Sequence, residues 1–342
     1  MDHAELTFWG VRGSVPSPLT GDDVFQKVVT GVLAGRQLEL AENCSDQDVA
    51  DALRKHMPFE QYATYGGNTS CVELRIGGNL IIFDMGTGMR PLGSKLLTES
   101  FASKAQTGKG LRGTILQSHM HWDHIQGLPF FKPLYLPRAI VANHFDFFGG
   151  QSWQTTLEDV LQNQMEAPTF PVNFAAIKEV ALSMSFNGVF DGWQHRIPAP
   201  DGSSVLITAR ILDHPQETFG YRVEYNGIVV AYTTDHEPRG HDIVPERLCK
   251  LVQDANVWIT DCQYSHAQYC GREDGPERLG WGHSYPEYIA SVARAAKPDK
   301  IFTFHHDPDA DDQRIAMLAR TVQNQCGIAT YGAYEGLTLT LN

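Results

Sequence analysis

The chain has no uninterrupted apolar run of about 18 residues, the length a membrane-spanning helix needs. Positive charge is also short: 27 Lys and Arg stand against 40 Asp and Glu, a net charge of −13. Without a basic stripe to release counterions, a partner held by neutralising the phosphates of a long nucleic acid is not expected. Six cysteines, at 44, 71, 249, 262, 270 and 326, make no CxxC pair and no dense framework, so they read as reduced thiols of a cytoplasmic protein. The opening Met1-Asp2-His3-Ala4-Glu5 carries two acids and lacks the cationic start and apolar core of a secretion signal. The chain shows no internal repeat, low-complexity tract or long flexible linker.

What is present suits a large folded chain. A hydrophobic content of 42% over 342 residues supports one α/β domain with insertions, or two halves sharing a core. Alternating or continuous apolar runs predict strands at 5–11, 70–76, 80–83, 114–117, 205–212, 219–225, 228–232, 257–260 and 300–304. Gly77-Gly78-Asn79 and Asn226-Gly227 read as hairpin turns. Helical spacing predicts a helix from Asp22 to about Leu40, a second over 45–56, a third over 155–165 and a fourth over 286–296. The first two make an insertion at about 19–62, and the stretch 143–200 reads as an irregular insertion.

The most informative run is His119-Met120-His121-Trp122-Asp123-His124, directly after the strand at 114–117. Four ligand-capable side chains in six residues make poor sense as packing. Imidazole and carboxylate are the donors that zinc and its borderline neighbours prefer, and a strand end is rigid enough to aim them. Three more sites fall where predicted strands end: Asp213-His214-Pro215, Thr234-Asp235-His236 and His305-His306-Asp307. Together they supply enough donors for two ions and a carboxylate to bridge them. We therefore expect His119, His121 and His214 on one ion, Asp123, His124 and His305 on the other, and Asp235 between; His306 remains an alternative to His305. Asp84, at the end of the strand 80–83, is expected to orient a ligating imidazole through its second nitrogen. Asn68, Thr69, Ser70 and His306 are candidates to contact substrate, although the turn after Gly66-Gly67 also favours the first three.

These residues resemble the metallo-β-lactamase superfamily, which implies a four-layer αββα sandwich with a dinuclear site at one edge of the sheets. Phe8-Trp9-Gly10-Val11-Arg12-Gly13-Ser14, Tyr65-Gly66-Gly67-Asn68-Thr69-Ser70-Cys71, Gly280-Trp281-Gly282-His283-Ser284 and His305-His306-Asp307-Pro308 resemble the branch of ribonuclease Z and the cyclic-nucleotide and phosphonate-pathway phosphodiesterases. The resemblance spans nearly the whole chain. It implies that His283 donates a proton to the leaving group with Asp261 assisting, and that Asp123 belongs to the catalytic set as well as to the ligands. Its tRNA-processing members carry a long glycine- and proline-rich arm, which this chain lacks, and the insertion at 19–62 is outside the minimal core.

The expected activity is hydrolysis of cyclic nucleotides or other small phosphodiesters by a water that two divalent ions share and acidify. Zinc is the expected metal, and manganese and iron accept the same ligands. A homodimer is compatible with the sequence. The alternatives are hydrolysis of a lactam, lactone or thioester, which does not need the Gly-His-Ser donor, tRNA 3′ processing, and a non-catalytic binding protein, which would have lost ligands that are all in place here.

Overall fold

The computed structural model describes residues 3–38, 44–152, 154–240 and 243–342. Two seven-stranded sheets face one another. The first runs, edge to edge, through Thr338–Leu341, Ala4–Gly10, Cys71–Ile76, Asn79–Phe83, Arg112–Leu116, His144–Gly149 and Ser183–Gly188. The second runs through Ala329–Gly332, Lys300–Phe304, Val257–Asp261, Ile228–Thr233, Thr218–Tyr225, Ser204–Leu212 and Gln194–Pro198.

Each sheet is half antiparallel and half parallel. In the first, pairing turns parallel from Asn79–Phe83 onward; in the second, the four strands from Ile228–Thr233 to Ala329–Gly332 are parallel. The hairpins arise where the sequence puts residues able to take positive φ: Gly77 at 53° and Gly78 at 70°, Asn226 at 46° and Gly227 at 84°. Ser204–Leu212 and Ile228–Thr233 are both antiparallel to Thr218–Tyr225, so they finish at the same edge. The chain after the first strand stitches the sheets together there, with Arg12 bridged to both Thr69 and His306.

Apolar side chains from the inner faces of both sheets form the central layer, where Phe83 stacks on Tyr232 at 4.8 Å and Tyr232 meets Phe304 at 5.7 Å. Met89–Thr107, Leu157–Gln164 and Phe174–Val180 cover the outside of the first sheet. Glu246–Val252, Pro286–Ala296 and Asp312–Cys326 cover the second. The result is a four-layer αββα sandwich, in which central strands such as Ile228–Thr233 are buried at every position because both sheet faces are covered.

Two expectations differ from what is observed. The helix expected to reach about residue 40 is Gly21–Gly35, and residues 39 and 40 lie outside the described residues. It buries no side chain, and Val24, Phe25, Val28, Val32 and Leu33 are half exposed or more. The stretch 143–200 is less irregular than it reads, since it adds His144–Gly149 and Ser183–Gly188 to the first sheet and Gln194–Pro198 to the second. Those strands are poor in β-branched residues, so their periodicity is weak in sequence. No helix among the described residues is long and apolar enough to cross a membrane.

Candidate metal centre

The edge at which Ser204–Leu212 and Ile228–Thr233 finish collects the polar strand ends, the usual place for ligand sites on parallel strands. Asp84 follows Phe83, His305 follows Phe304, and Asp235 stands two residues after Thr233. All three have left-handed backbones, with φ of 59°, 55° and 44°. Such conformations are costly for residues other than glycine and persist where surrounding structure enforces them. His119–His124 turns off Arg112–Leu116, and His121 caps the short helix Trp122–Ile125 without a side-chain bond.

The expected ligands converge in two groups. One nitrogen or oxygen from each of His119, His121, His214 and Asp235 lies within 4.8 Å of the others, and so do those of Asp123, His124 and His305. Asp235 faces both groups: Oδ2 lies 3.5 Å from His119 Nε2, and Oδ1 lies 3.4 Å from both His124 Nε2 and His305 Nε2. Around the second group, His305 Nε2 lies 3.0 Å from Asp123 Oδ2 and 3.1 Å from His124 Nε2, which itself lies 3.2 Å from Asp123 Oδ2.

These spacings fit a cation. Ligands bound at about 2.1 Å around a tetrahedral ion sit about 3.4 Å apart, which is the scale of the Asp235 and Asp123 contacts. His119 Nε2 and His214 Nε2 are buried without hydrogen-bond partners, whereas unpaired buried polar atoms are otherwise rare. Their other nitrogens are engaged: His119 Nδ1 with Ser118 Oγ at 3.0 Å, and His214 Nδ1 with Thr218 Oγ1 at 3.0 Å. His124 Nδ1 meets Asp84 Oδ2 at 2.8 Å, while Asp84 also accepts from the Ser118 amide, the Ser118 hydroxyl and the Tyr232 hydroxyl. That carboxylate fixes the ring and leaves Nε2 for the centre.

Protonation follows the distribution of acids. Burial opposes a cation at His124, but Asp123, Asp235 and Asp84 override it and lift its pKa well above the ordinary value. At His119 burial prevails and neighbouring imidazoles add to it, so the pKa falls well below normal; at His214 burial lowers it to about 4. Asp123 and Asp235 are held far below the carboxylate range by the histidines around them, despite burial. The centre thus keeps its carboxylates ionised and its first imidazole group neutral, the forms that coordinate metal.

The remaining candidates occupy distinct places. His283 stacks on His305 with ring centroids 5.0 Å apart, and its Nδ1 meets Asp261 Oδ2 at 3.0 Å. Burial disfavours its cation, but Asp261, Asp235 and Asp123 raise its pKa to about 9. Ser70 is buried with its hydroxyl unpartnered. Thr69 Oγ1 accepts the Thr87 amide. Asn68 has its amide on Glu335, and His306 faces Ala333 O at 2.9 Å rather than either cluster. An open cleft of about 700 Å³ begins at His214 and is lined by Asp213, Pro215, Glu237, Arg239 and Leu279 among others.

Residues 79–306 match the beta-lactamase superfamily domain, two thirds of the chain. The chain belongs to the beta-lactamase superfamily. No curated protein matches it. Among solved structures it is similar to the metallo-beta-lactamase fold protein YhfI from Bacillus subtilis, at 14% identity over 99% of this chain and 100% of that one, with a TM-score of 0.58. It is similar to a diphosphatase of the PhnP family, at 18% identity over 99% and 97%, TM-score 0.53. It is also similar to the short form of human tRNase Z, at 17% identity over 99% of each chain, TM-score 0.53. At these identities the likeness is one of fold.

In this superfamily member several supporting groups lie beyond sequence reasoning. The Ser14 amide donates to Asp123 Oδ2 at 2.8 Å, and Gly13 packs so closely on His305 that a Cβ would stand 2.4 Å from its Nδ1. Tyr232 reaches Asp84 from a strand distant in sequence, Glu237 reaches the Gly282 amide, and Thr218 holds His214 from four residues away. Only the Gly-Ser pair within the run 8–14 hints at this, since a glycine before a polar residue marks a close backbone approach.

Proposed function

We propose that the protein is a metal-dependent phosphodiesterase acting on cyclic nucleotides or other small phosphodiesters. In this reading His119, His121 and His214 would hold one divalent ion, Asp123, His124 and His305 would hold a second, and Asp235 would serve both. Zinc is the metal we favour, with manganese and iron close in ligand preference. When bound, two such ions neutralise phosphate oxygens and acidify a water toward neutrality.

The observation that carries the reading is the His283–Asp261 pair beside the centre. Cleavage of the P–O bond of a dialkyl phosphodiester expels an alkoxide that needs a proton, whereas a thioester expels a thiolate that departs without one. Asp261 occupies Nδ1, so Nε2 is the atom that hands over the proton, and the carboxylate beside the ring favours its protonated form. Asp84 and Tyr232 orient His124, and the Ser14 amide steadies Asp123. Asn68 and His306 we assign to holding loops, leaving the buried Ser70 hydroxyl as the candidate contact for substrate.

The cleft beside His214 suits a small substrate, and the net charge of −13 works against a long polynucleotide. A diphosphatase and a tRNase among the fold neighbours support phosphorus as the reacting centre. Trp122 and Trp281, neighbours in sequence of His121 and Gly282, are 71% and 50% exposed and offer indole faces on which a base can stack. Six free cysteines agree with a cytoplasmic location.

The test is direct. Purified protein loaded with Zn²⁺ or Mn²⁺ is expected to hydrolyse bis(p-nitrophenyl) phosphate and at least one member of a cyclic-nucleotide panel, while nitrocefin stays at background. Nitrocefin turnover without phosphodiester turnover would replace this reading with the lactam one.

A further inference from the structure

Glu237 lies two residues beyond Asp235, half-buried and outside both ligand groups of the metal centre. Its backbone amide donates to Asp213 O at 2.7 Å, which ties it to the loop carrying His214. Its carboxylate is directed at the opposite wall. Oε1 accepts the Gly280 amide at 2.6 Å and the Tyr269 hydroxyl at 2.6 Å, and Oε2 accepts the Gly282 amide at 3.0 Å. One residue, through its backbone amide and its side chain, therefore joins the loops that carry His214 and Asp235 to the turn that carries His283.

His283 and Ser284 at the end of that turn are held by Asp261, so Glu237 tethers the part that precedes them. Gly280 and Gly282 have φ of 84° and 90°, conformations that side chains resist. A Cβ on Gly282 would stand 2.2 Å from His214 Cδ2, so backbone and imidazole are in direct contact. Tyr269, itself buried against Tyr285 at 4.9 Å, anchors the carboxylate from behind. A carboxylate is the group that can take three donors at once, because its two oxygens offer about four lone-pair directions.

We propose that Glu237 is a positioning residue that clamps the Gly280–His283 turn over the metal centre and so sets where the His283 imidazole meets the leaving group. The proposal rests on the reading of His283 as the proton donor. Glu237 lines the cleft, but the proposal assigns it no contact with metal or with the reacting atoms. Its substitution should act on proton delivery alone.

Glu237→Gln keeps the size of the side chain but leaves one oxygen for three donors. Metal content should stay at the wild-type level, and amide hydrogen exchange over 279–284 should accelerate while the central strands stay protected. Turnover should fall by about 30-fold or more for a methyl or ribosyl leaving group, yet by less than about threefold for 4-nitrophenolate, which departs without a proton. Tyr269→Phe, which removes one donor and keeps two, should show the same selectivity at smaller size and serves if the glutamine variant folds poorly. An equal loss for both leaving groups, or unchanged exchange over 279–284, overturns the clamp. His283→Ala run in parallel separates the layers. If it shows the leaving-group selectivity and Glu237→Gln does not, only the clamp fails; if His283→Ala loses both substrates equally, the donor reading fails and takes the clamp with it.

Discussion

The two sheets furnish the centre in different ways. The first delivers His119, His121, Asp123 and His124 from a single turn after Arg112–Leu116, so their mutual geometry is largely a local property of six residues. The second delivers its residues one at a time, each from a different segment: Asp235, Asp261 and His305 at the ends of parallel strands, His214 after the antiparallel strand Ser204–Leu212, and His283 from the turn before Pro286–Ala296. A local cluster tolerates small shifts of the fold, because its members move together. A dispersed set does not, and its members are held by the left-handed backbones of Asp235 and His305, by Glu237 against Gly282, and by the close packing of Gly13 on His305 and Gly282 on His214.

The contrast is broken most severely at Asp235, whose two oxygens face both groups. Asp235→Ala should reduce bound metal from about two ions per chain to below one and cut turnover by about 10⁴-fold or more, as removal of one member of a unit does. Metal analysis beside the kinetics decides it: two ions retained in the variant would mean that Asp235 does not serve both. His121→Ala and His305→Ala sharpen the same point. Each should leave one ion, and the ion lost should differ between them, as seen by cobalt substitution spectra.

Asp84 tests the first sheet from beneath. Its carboxylate accepts three donors and fixes His124 Nδ1, so Asp84→Asn should weaken metal binding by about 10- to 100-fold without abolishing it. The loss should fall on the ion assigned to His124. Equal weakening of both ions would place Asp84 in general support of the fold instead.

At the rim, Trp122→Ala should raise KM for an aromatic nucleotide about tenfold, the scale of one base stacked on one ring, and leave KM for a dialkyl phosphate unchanged. The exposed indole stands on the local turn of the first sheet, so kcat should hold. A fall in kcat for both substrates would mean that the ring supports His121 and Asp123 rather than substrate.

Legibility in sequence divides along the same line. A contiguous HxHxDH run after an apolar strand announces itself, and the strand ends at 212, 233 and 304 can be read because long apolar runs stop at acids and histidines. The helix Pro286–Ala296 and strand Lys300–Phe304 fall where periodicity puts them. Met89–Thr107 does not read as a helix because its buried face is thin, with Gly93 and Ser100 among the buried positions and charged residues throughout. Asp312–Cys326 and the strands at 329–332 and 338–341 also escape a reading by pattern, the strands being only four residues long. Nothing in sequence gives φ at Asp84, Asp235 and His305, nor brings Glu237 to Gly282 across 45 residues. Those are products of register and close packing, which depend on partners far along the chain.

The smallest effect concerns two adjacent imidazoles that sequence leaves open. His305 Nε2 faces Asp123, His124 and Asp235, whereas His306 is turned to Ala333 O and packs against Tyr65 at 5.6 Å. Burial, with Arg12 nearby, holds His306 neutral and pushes its pKa down to about 3. In the unfolded chain the same group titrates at about 6.5. Above that pH both states are neutral and the stability is complete. As pH falls below it, the unfolded chain takes up a proton that the folded one refuses, so stability drops progressively toward the folded pKa. Thermal unfolding of the metal-free protein should therefore show Tm falling from about pH 6.5 downward. His306→Gln should make that slope shallower, with His236, His214 and His119, also pushed down by burial, maintaining the remainder. The variant should still bind two ions, since its amide can replace the bond to Ala333 without touching the centre; loss of an ion would exchange the roles of the two histidines.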